Sequence, residues 1–327
     1  MIILGIESSC DETSLAVYDS EKKSILASFT SSQAELHSRF GGVVPEVASR
    51  NHILKIESLF EQCMEKADIK PKDLDAIGVT NAPGLIGALF VGVSFAKALG
   101  YSLKIPVIPV NHLSAHIMAA ELQHQDLKPP YLALIISGGH SHIYDVDEAY
   151  NFDLLAKTID DAAGECFDKV AKMLGLGYPG GPAIESLAKN GDINKISFPI
   201  AIKNRPDFSF SGLKTSVLNK INEKTETDAD IAASFQKTIA ETLLLKTVRQ
   251  AKAHGRNKIV VAGGVACNGF IRKTFMEKKG VEVYFPSPRL CTDNGDMIAF
   301  TAHKFFGRRI FASLEETAHD RMQHINK

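Results

Sequence analysis

Two stretches of this chain share one plan, and that plan limits what it can fold into. An apolar strand, Ile2 to Ile6, meets a polar turn, Glu7-Ser8-Ser9-Cys10-Asp11-Glu12-Thr13, and a second strand returns from Ser14 to Tyr18. The same design recurs as Tyr131 to Ile136, the turn Ser137-Gly138-Gly139-His140, and Ser141 to Val146. Small residues in such turns let backbone N–H groups face outward, which suits an anion. Either turn alone is a weak signal. Two of one design can flank a phosphate chain, and strands interleaved with amphipathic segments point to an α/β fold.

Between the hairpins, helical periodicity covers Val47 to Ala67, with Ile53, Ile56, Leu59, Phe60 and Met64 on the expected buried face. A strand is expected from Asp75 to Thr80. Asn81-Ala82-Pro83-Gly84 then opens a Gly- and Ala-rich helix from Leu85 to Leu99, suited to tight packing on a sheet. After the second hairpin, Asp168 and Lys172 sit four apart on a helix, where an ion pair is the plain expectation. Tyr178-Pro179-Gly180-Gly181-Pro182 is a sharp turn whose backbone can approach a ligand. Ala229 to His254 reads as one long helix. Strand Lys258 to Ala262 turns at Gly263-Gly264 directly into a helix through Lys278, a context in which N-terminal N–H groups favour an anion. Cys291-Thr292-Asp293-Asn294 caps a helix from Gly295 to Phe306, and Lys304, Arg308 and Arg309 read as a solvated basic face.

The stretch between the hairpins carries a histidine pair that could bind a metal. Ile105 to Val110 is a buried strand, and Asn111 is a helix N-cap. His112 and His116 therefore share one face of the first helical turns, where two imidazoles can hold one ion. A His pair alone is more often a core or solvated pair. A zinc protease would need Glu directly after the first His as its base, and that position is Leu113. Asp11 and Glu12 are adjacent carboxylates at a strand end, which alone reads as a solvated turn.

Length and composition narrow the class. The 327 residues suffice for two domains of roughly 150 each. The expected division is 1–122 and 130–294, with Gln123 to Pro130 as a polar connection and a helix near 295–327 packing back on the first domain. A formal net charge of −1 gives no global basic field to recruit nucleic acid. Cys10, Cys63, Cys166, Cys267 and Cys291 are odd in number and lack a Cys-x-x-Cys, which fits reduced thiols in the cytoplasm. The N-terminus resembles no signal peptide, and no apolar run is expected to reach the roughly 18 residues of a membrane span.

The motifs Ile6 to Thr13, Gly41 to Glu46, Asn111 to His116, Ser137 to His140, Asp160 to Lys169, Tyr178 to Pro182, Phe208 to Thr215, Ala262 to Asn268 and Cys291 to Asn294 together resemble the TsaD family. These are tRNA threonylcarbamoyladenosine transferases, once labelled sialoglycoprotein endopeptidases. The resemblance implies two ribonuclease-H-like domains of the actin, sugar-kinase and heat-shock-chaperone superfamily, facing each other across a ligand cleft. It implies transfer of threonylcarbamoyl from threonylcarbamoyl-AMP to N6 of adenine 37 in tRNAs reading ANN codons, with release of AMP. His112, His116 and Asp293 match the family's metal ligands; such a set suits a divalent ion, with Fe(II) favoured and Zn(II) as the alternative. Ile135, Ile136, Ser137, Gly138 and Gly139 match contacts to phosphate and carbonyl, and Asp168, Gly181 and Asn268 match contacts to ribose and adenine. Glu185 stands where the family often has Asp, which leaves that substrate contact open. Asp11 and Glu12 match acidic residues needed for transfer, and either could be the base. ATP or ADP could occupy the same site.

The resemblance also implies tRNA as a partner, together with a TsaB-like paralogue, a TsaE-like ATPase and a synthase that supplies threonylcarbamoyl-AMP, all without a membrane. A TsaB-like partner is expected on the amphipathic helices of the first domain. Two other classes fit the shared hairpins: a metabolite kinase transferring the ATP γ-phosphate, and a nucleotide-switched scaffold. The His pair argues against both, since Mg²⁺ prefers oxygen ligands.

Overall fold

The computed structural model describes residues 1–40, 42–313 and 315–321. Position 41 of the Gly-Gly motif and the last six residues of the expected C-terminal packing segment lie outside the described residues. The chain divides into two compact units. One comprises Met1–Gln123 and the segment beginning at Thr292; the other is His124–Cys291.

Unit 1 is built on strands β1 (Ile2–Glu7), β2 (Glu12–Asp19), β3 (Ser24–Ser32), β4 (Ala76–Ala82) and β5 (Val107–Asn111), in the order β3-β2-β1-β4-β5. Ile2 pairs with Asp19 and Glu7 with Ser14 in the antiparallel β1–β2 hairpin, while Ile3 pairs with Ala76 across the parallel side. The central strand is buried along almost its whole length because both faces are covered, so it reads as continuous apolar sequence. Its helices are α1 (Ala34–Ser38), α2 (Pro45–Ala67), α3 (Ile86–Leu103) and α4 (His112–Gln123). Leu4, Ile6, Leu15, Val17, Ile77 and Val79 form one core with Ile56, Leu59, Leu89 and Val93 of α2 and α3.

Two expectations fail here. Ile53 is 62% exposed, and the buried face of α2 is instead Ala48, His52, Ile56, Leu59, Cys63 and Met64. The apolar periodicity pointed one residue away because the true stripe runs through a histidine. Apolar length was also underestimated. α3 is an 18-residue helix with mean hydropathy 1.5, long and apolar enough to cross a membrane by length and composition. Its one charge, Lys97, donates to the Glu316 carbonyl, and its Ala88, Leu89, Gly92, Val93 and Ala96 pack inward on β4 and α2. This is the packing of a core helix on a sheet.

Unit 2 repeats the sheet. β6 (Tyr131–Ile136), β7 (Ser141–Val146), β8 (Phe152–Lys157), β9 (Lys258–Ala262) and β10 (Glu282–Tyr284) lie in the order β10-β9-β6-β7-β8. As in unit 1, the first three strands are antiparallel neighbours and the last two join in parallel. Strand β8, with exposed Asp153, Leu154 and Lys157, gave too little apolar alternation to be anticipated. The helices are α5 (Ala163–Met173), α6 (Gly180–Ala188), α7 (Ser211–Glu223), α8 (Asp228–Ala253), α9 (Gly269–Met276) and α10 (Pro288–Cys291). Leu132, Leu134 and Ile136 pack against Phe167, Phe235, Ile239 and Leu243. A short 3-10 turn, Gly264–Cys267, intervenes between β9 and α9, where direct entry into a helix was expected.

The final helix, α11 (Gly295–Gly307), returns to unit 1 and packs on β1, β2, β4 and α4. A Cβ on Gly5 would strike the α11 backbone at Ala299 and Gly295, so only glycine permits this approach. The basic face expected on α11 is not uniformly solvated, since Lys304 donates to buried Glu121 at 3.2 Å.

Candidate active site

The end of β5 and the start of α4 arise from local sequence. Asn111 Oδ1 accepts from the N–H groups of Leu113 and Ser114 at 2.9 and 3.2 Å, the N-cap anticipated for it. His112 and His116 then fall on one face. Across the unit, the cap of α11 is Asn294, whose Oδ1 accepts from Met297 N–H at 2.8 Å. Asp293 is thereby released from capping and turned toward the imidazoles. His116 Nε2 lies 3.2 Å from His112 Nε2 and 3.0 Å from Asp293 Oδ1, and the third edge, His112 Nε2 to Asp293 Oδ1, is 3.5 Å.

These separations fit one cation. Two nitrogens each about 2 Å from an ion sit roughly 3 Å apart at ordinary coordination angles. The surroundings agree. Glu7, at the end of β1 and fully buried, stands 3.0 Å from His112 Nδ1; with the Nδ1 proton donated to it, Nε2 faces the shared point. Glu7 is held in turn by Ser9 N–H at 2.6 Å and Thr80 hydroxyl at 2.6 Å. Burial alone would raise the Glu7 carboxyl, yet the His112 ring outweighs it and holds the group below the usual carboxylate range. Burial likewise works against charge on His112, but the Asp293 and Glu7 carboxylates lift it to about 9. A buried point that draws a proton so strongly is one where a cation is stable. His116 Nδ1, also buried, has no hydrogen-bond partner among the described residues.

Asp11 and Glu12 adjoin this cluster. Glu12 Oε1 accepts from Ser32 at 3.0 Å, as the pairing of Glu12 with Ser32 across β2–β3 requires. Its carboxyl is pushed up to about 9, first by burial, then by the nearby Asp293 and Asp11 charges. Glu7 was missed as a functional residue by the sequence reading. Its signal was present: a carboxylate closing an otherwise apolar central strand.

Within unit 2, the other candidates gather where β6 and β9 end. The Ser137-Gly138-Gly139 turn follows Ile135 and Ile136, and Ser137 carbonyl accepts from Gly164 N–H at 3.1 Å. Gly263, at φ +92°, would place a Cβ 2.5 Å from the Ile136 carbonyl, so its turn approaches the end of β6 this closely only because Gly263 has no side chain. At Gly138, Gly139, Gly181 and Gly264 a Cβ would meet nothing within 4 Å, which leaves open space beside these backbones. Asp168 turns to Gly180 N–H at 2.7 Å instead of pairing with Lys172. Asn268 caps α9, accepting from Ile271 N–H at 2.9 Å, and gives one amide hydrogen to Gln236 at 2.8 Å. Glu185 accepts from Gly269 N–H at 2.8 Å.

A chain that carries a two-imidazole, one-carboxylate cluster and, separately, paired glycine turns has relatives. The family model "TsaD: tRNA N6-adenosine threonylcarbamoyltransferase" matches residues 24–300. The chain belongs to the TsaD family. A tRNA N6-adenosine threonylcarbamoyltransferase of Clostridium kluyveri is 49% identical over 327 residues, covering 97% of this chain and 96% of that protein. Its namesake in Thermosipho africanus is 48% identical over 318 residues, covering 95% and 96%. Among solved structures, T. kodakarensis HypF superimposes with a TM-score of 0.65 at 17% identity, covering 94% of this chain and 47% of that one. Component A of the Acidaminococcus fermentans (R)-2-hydroxyglutaryl-CoA dehydratase gives 0.58 at 16% identity, covering 93% and 98%. The structural likenesses show the actin-like ATPase fold, and the TsaD match shows the family.

Proposed function

We propose that this chain transfers the threonylcarbamoyl group of threonylcarbamoyl-AMP to N6 of adenine 37 in tRNAs reading ANN codons, forming N6-threonylcarbamoyladenosine and releasing AMP. One observation carries the reading: a match to the TsaD transferases over almost the whole chain, in a molecule whose His112, His116 and Asp293 converge beside Asp11 and Glu12.

His112, His116 and Asp293 would hold a divalent ion, with Glu7 fixing the ring of His112. The bound ion, Fe(II) by preference and Zn(II) as the alternative, supplies Lewis acidity toward the phosphate and carbonyl oxygens of the adenylate. Ser137 N–H closes the hairpin on the His140 carbonyl at 2.8 Å, so Gly138 and Gly139, just past the strand end at Ile135 and Ile136, would donate their N–H groups to those oxygens. Asp168 keeps one oxygen for a ribose hydroxyl, and Gly181 admits the ligand close to its backbone. Asn268 retains one amide hydrogen for adenine, and Glu185 keeps Oε2 for the substrate. As the N6–carbon bond forms and the carbon–oxygen bond to AMP breaks, the Asp11–Glu12 pair takes the N6 proton. Burial and the Asp293 and Asp11 charges hold the proton on Glu12 near neutral pH, so a cation at Asp293 would favour its ionised form.

The acceptor is tRNA, in the cytoplasm, and a synthase supplies the adenylate. Exposed Ile53 and Leu54 on α2 and Ile86 and Phe90 on α3 support a TsaB-like paralogue docking there, with a TsaE-like ATPase completing the set. The test is to incubate the chain with these proteins, threonine, bicarbonate, ATP and unmodified tRNA, then seek the modified nucleoside by mass spectrometry. ATP consumption with a phosphorylated metabolite and no modified nucleoside would favour a kinase.

A further inference from the structure

His52 sits on the inner face of α2 with none of its surface exposed. Both its ring nitrogens reach the turn that carries Asp11 and Glu12. Nδ1 lies 2.7 Å from Thr13 Oγ1, and Nε2 lies 3.0 Å from the Cys10 carbonyl oxygen. A carbonyl only accepts, so Nε2 bears the proton and donates it. Nδ1 is then the acceptor, and the Thr13 hydroxyl donates to it. Of the two neutral tautomers only Nε2–H makes both bonds; a charged ring would instead donate from Nδ1 to Thr13 Oγ1. The surroundings favour the neutral form. Burial drives the ring below its ordinary value and His37 on α1 adds to this, against the Cys10 carbonyl, Glu7 on β1 and Asp11 in the turn.

The start of the turn is held at Ser9, whose N–H donates to Glu7 at 2.6 Å and whose carbonyl accepts from Leu85 N–H at 2.8 Å. Residues 9–11 are neither strand nor helix, and at the far end of the turn Gln33 N–H donates to the Asp11 carbonyl at 3.0 Å. Gln33 is itself tied to α2, through its amide and the Ala48 carbonyl at 3.3 Å. α2 thus reaches the Cys10–Thr13 part of the turn through the His52 imidazole and, by way of Gln33, at Asp11.

We propose that His52 is a positioning residue for the transfer, its imidazole clamping the Cys10–Thr13 turn so that Asp11 and Glu12 stand where they accept the adenine proton. This rests on the reading of those two carboxyls as the proton acceptors. His52 touches neither the imidazole cluster nor the sites read for substrate, so its effect runs through the turn.

His52→Leu should lower kcat by roughly 10- to 100-fold, the scale of a misplaced catalytic group. KM for the adenylate and for tRNA should stay within about threefold, since ground-state binding is untouched. Bound metal should be unchanged. His52→Gln, whose amide nitrogen overlays Nε2 and can still donate to the Cys10 carbonyl, should recover most of kcat. Equal losses in the Leu and Gln variants, or loss in KM alone, would overturn the proposal. Nitrogen-15 NMR of the wild-type imidazoles gives a reading independent of any variant's folding. The His52 signal should report the Nε2–H tautomer from about pH 5.5 to about pH 8. An Nδ1–H tautomer, or a titration near the free histidine value, would overturn the clamp. Wild-type turnover in both Asp11→Ala and Glu12→Ala would overturn the carboxyl reading, and this proposal with it, even where the NMR signature holds.

Discussion

The two units carry the same five-stranded sheet, with the same strand order and the same mixture of parallel and antiparallel neighbours, yet their first hairpin turns do opposite work. In unit 1 the turn after the central strand is built of side chains. Glu7 closes the strand, Asp11 and Glu12 follow, and the imidazoles of α4 and Asp293 stand against them. In unit 2 the corresponding turn, Ser137-Gly138-Gly139, has almost no side chain, and the neighbouring turn at Gly263 approaches it through bare backbone. The first arrangement concentrates charge, which suits a cation. The second presents N–H dipoles and open space, which suits an anion. One scaffold thus serves two chemistries because function resides in the turns at the strand ends, while the strands supply only position.

The largest effect expected from this division is at the imidazoles. Replacing both His112 and His116 by Ala should remove stoichiometric metal and cut transfer roughly a thousandfold, the scale of several kcal/mol of lost Lewis-acid stabilisation. Elemental analysis showing undiminished metal would end the ligand assignment. Glu7→Gln keeps the volume and removes the charge behind His112, so metal affinity should fall by about 10- to 100-fold with little change in nucleotide binding. Metal titration of the variant measures it, and an unchanged affinity would show that the buried carboxylate serves the fold alone.

In unit 2 the complementary break is Gly263→Ala. The added Cβ faces the Ile136 carbonyl at 2.5 Å on a backbone at φ +92°, so stability should drop by about 1–3 kcal/mol and adenylate KM should rise, with metal content intact. Thermal unfolding and metal analysis together decide it; loss of metal in this variant would blur the proposed separation of roles.

The smallest expected effect concerns thiols. A hydrogen bond from Cys291 outweighs burial, and with help from the Arg272 guanidinium pulls Cys267 down to about 7, while burial raises Cys10, Cys63 and Cys166. The thiolate is the nucleophile, so alkylation should strike Cys267 first, its rate rising with pH to half its maximum near pH 7. Peptide mapping after brief iodoacetamide treatment reads this directly. First reaction at another cysteine would place the reactive thiol elsewhere.

Local chemistry was legible in the sequence. The two hairpins, the Asn111 cap, the i, i+4 imidazoles and the glycine turns are all set by short-range rules of period, capping and backbone freedom. Pairing a resemblance with those residues also identified Asp293, 177 positions from His116. What remained hidden depended on burial. Ile53 and His52 are neighbours on one helix, and hydrophobicity alone assigned the inner face to the wrong one. Glu7 looked like the first polar residue of a turn, and only its complete enclosure behind His112 marks it as part of the cluster. The choice of Asn294 as the α11 cap, which frees Asp293 for the imidazoles, likewise appears only once α11 has packed on β1 at Gly5. Periodicity and capping act over a few residues and are written in the chain. Which polar groups lose their water, and which meet across a hundred positions or more, is decided by how helices and sheet close on one another.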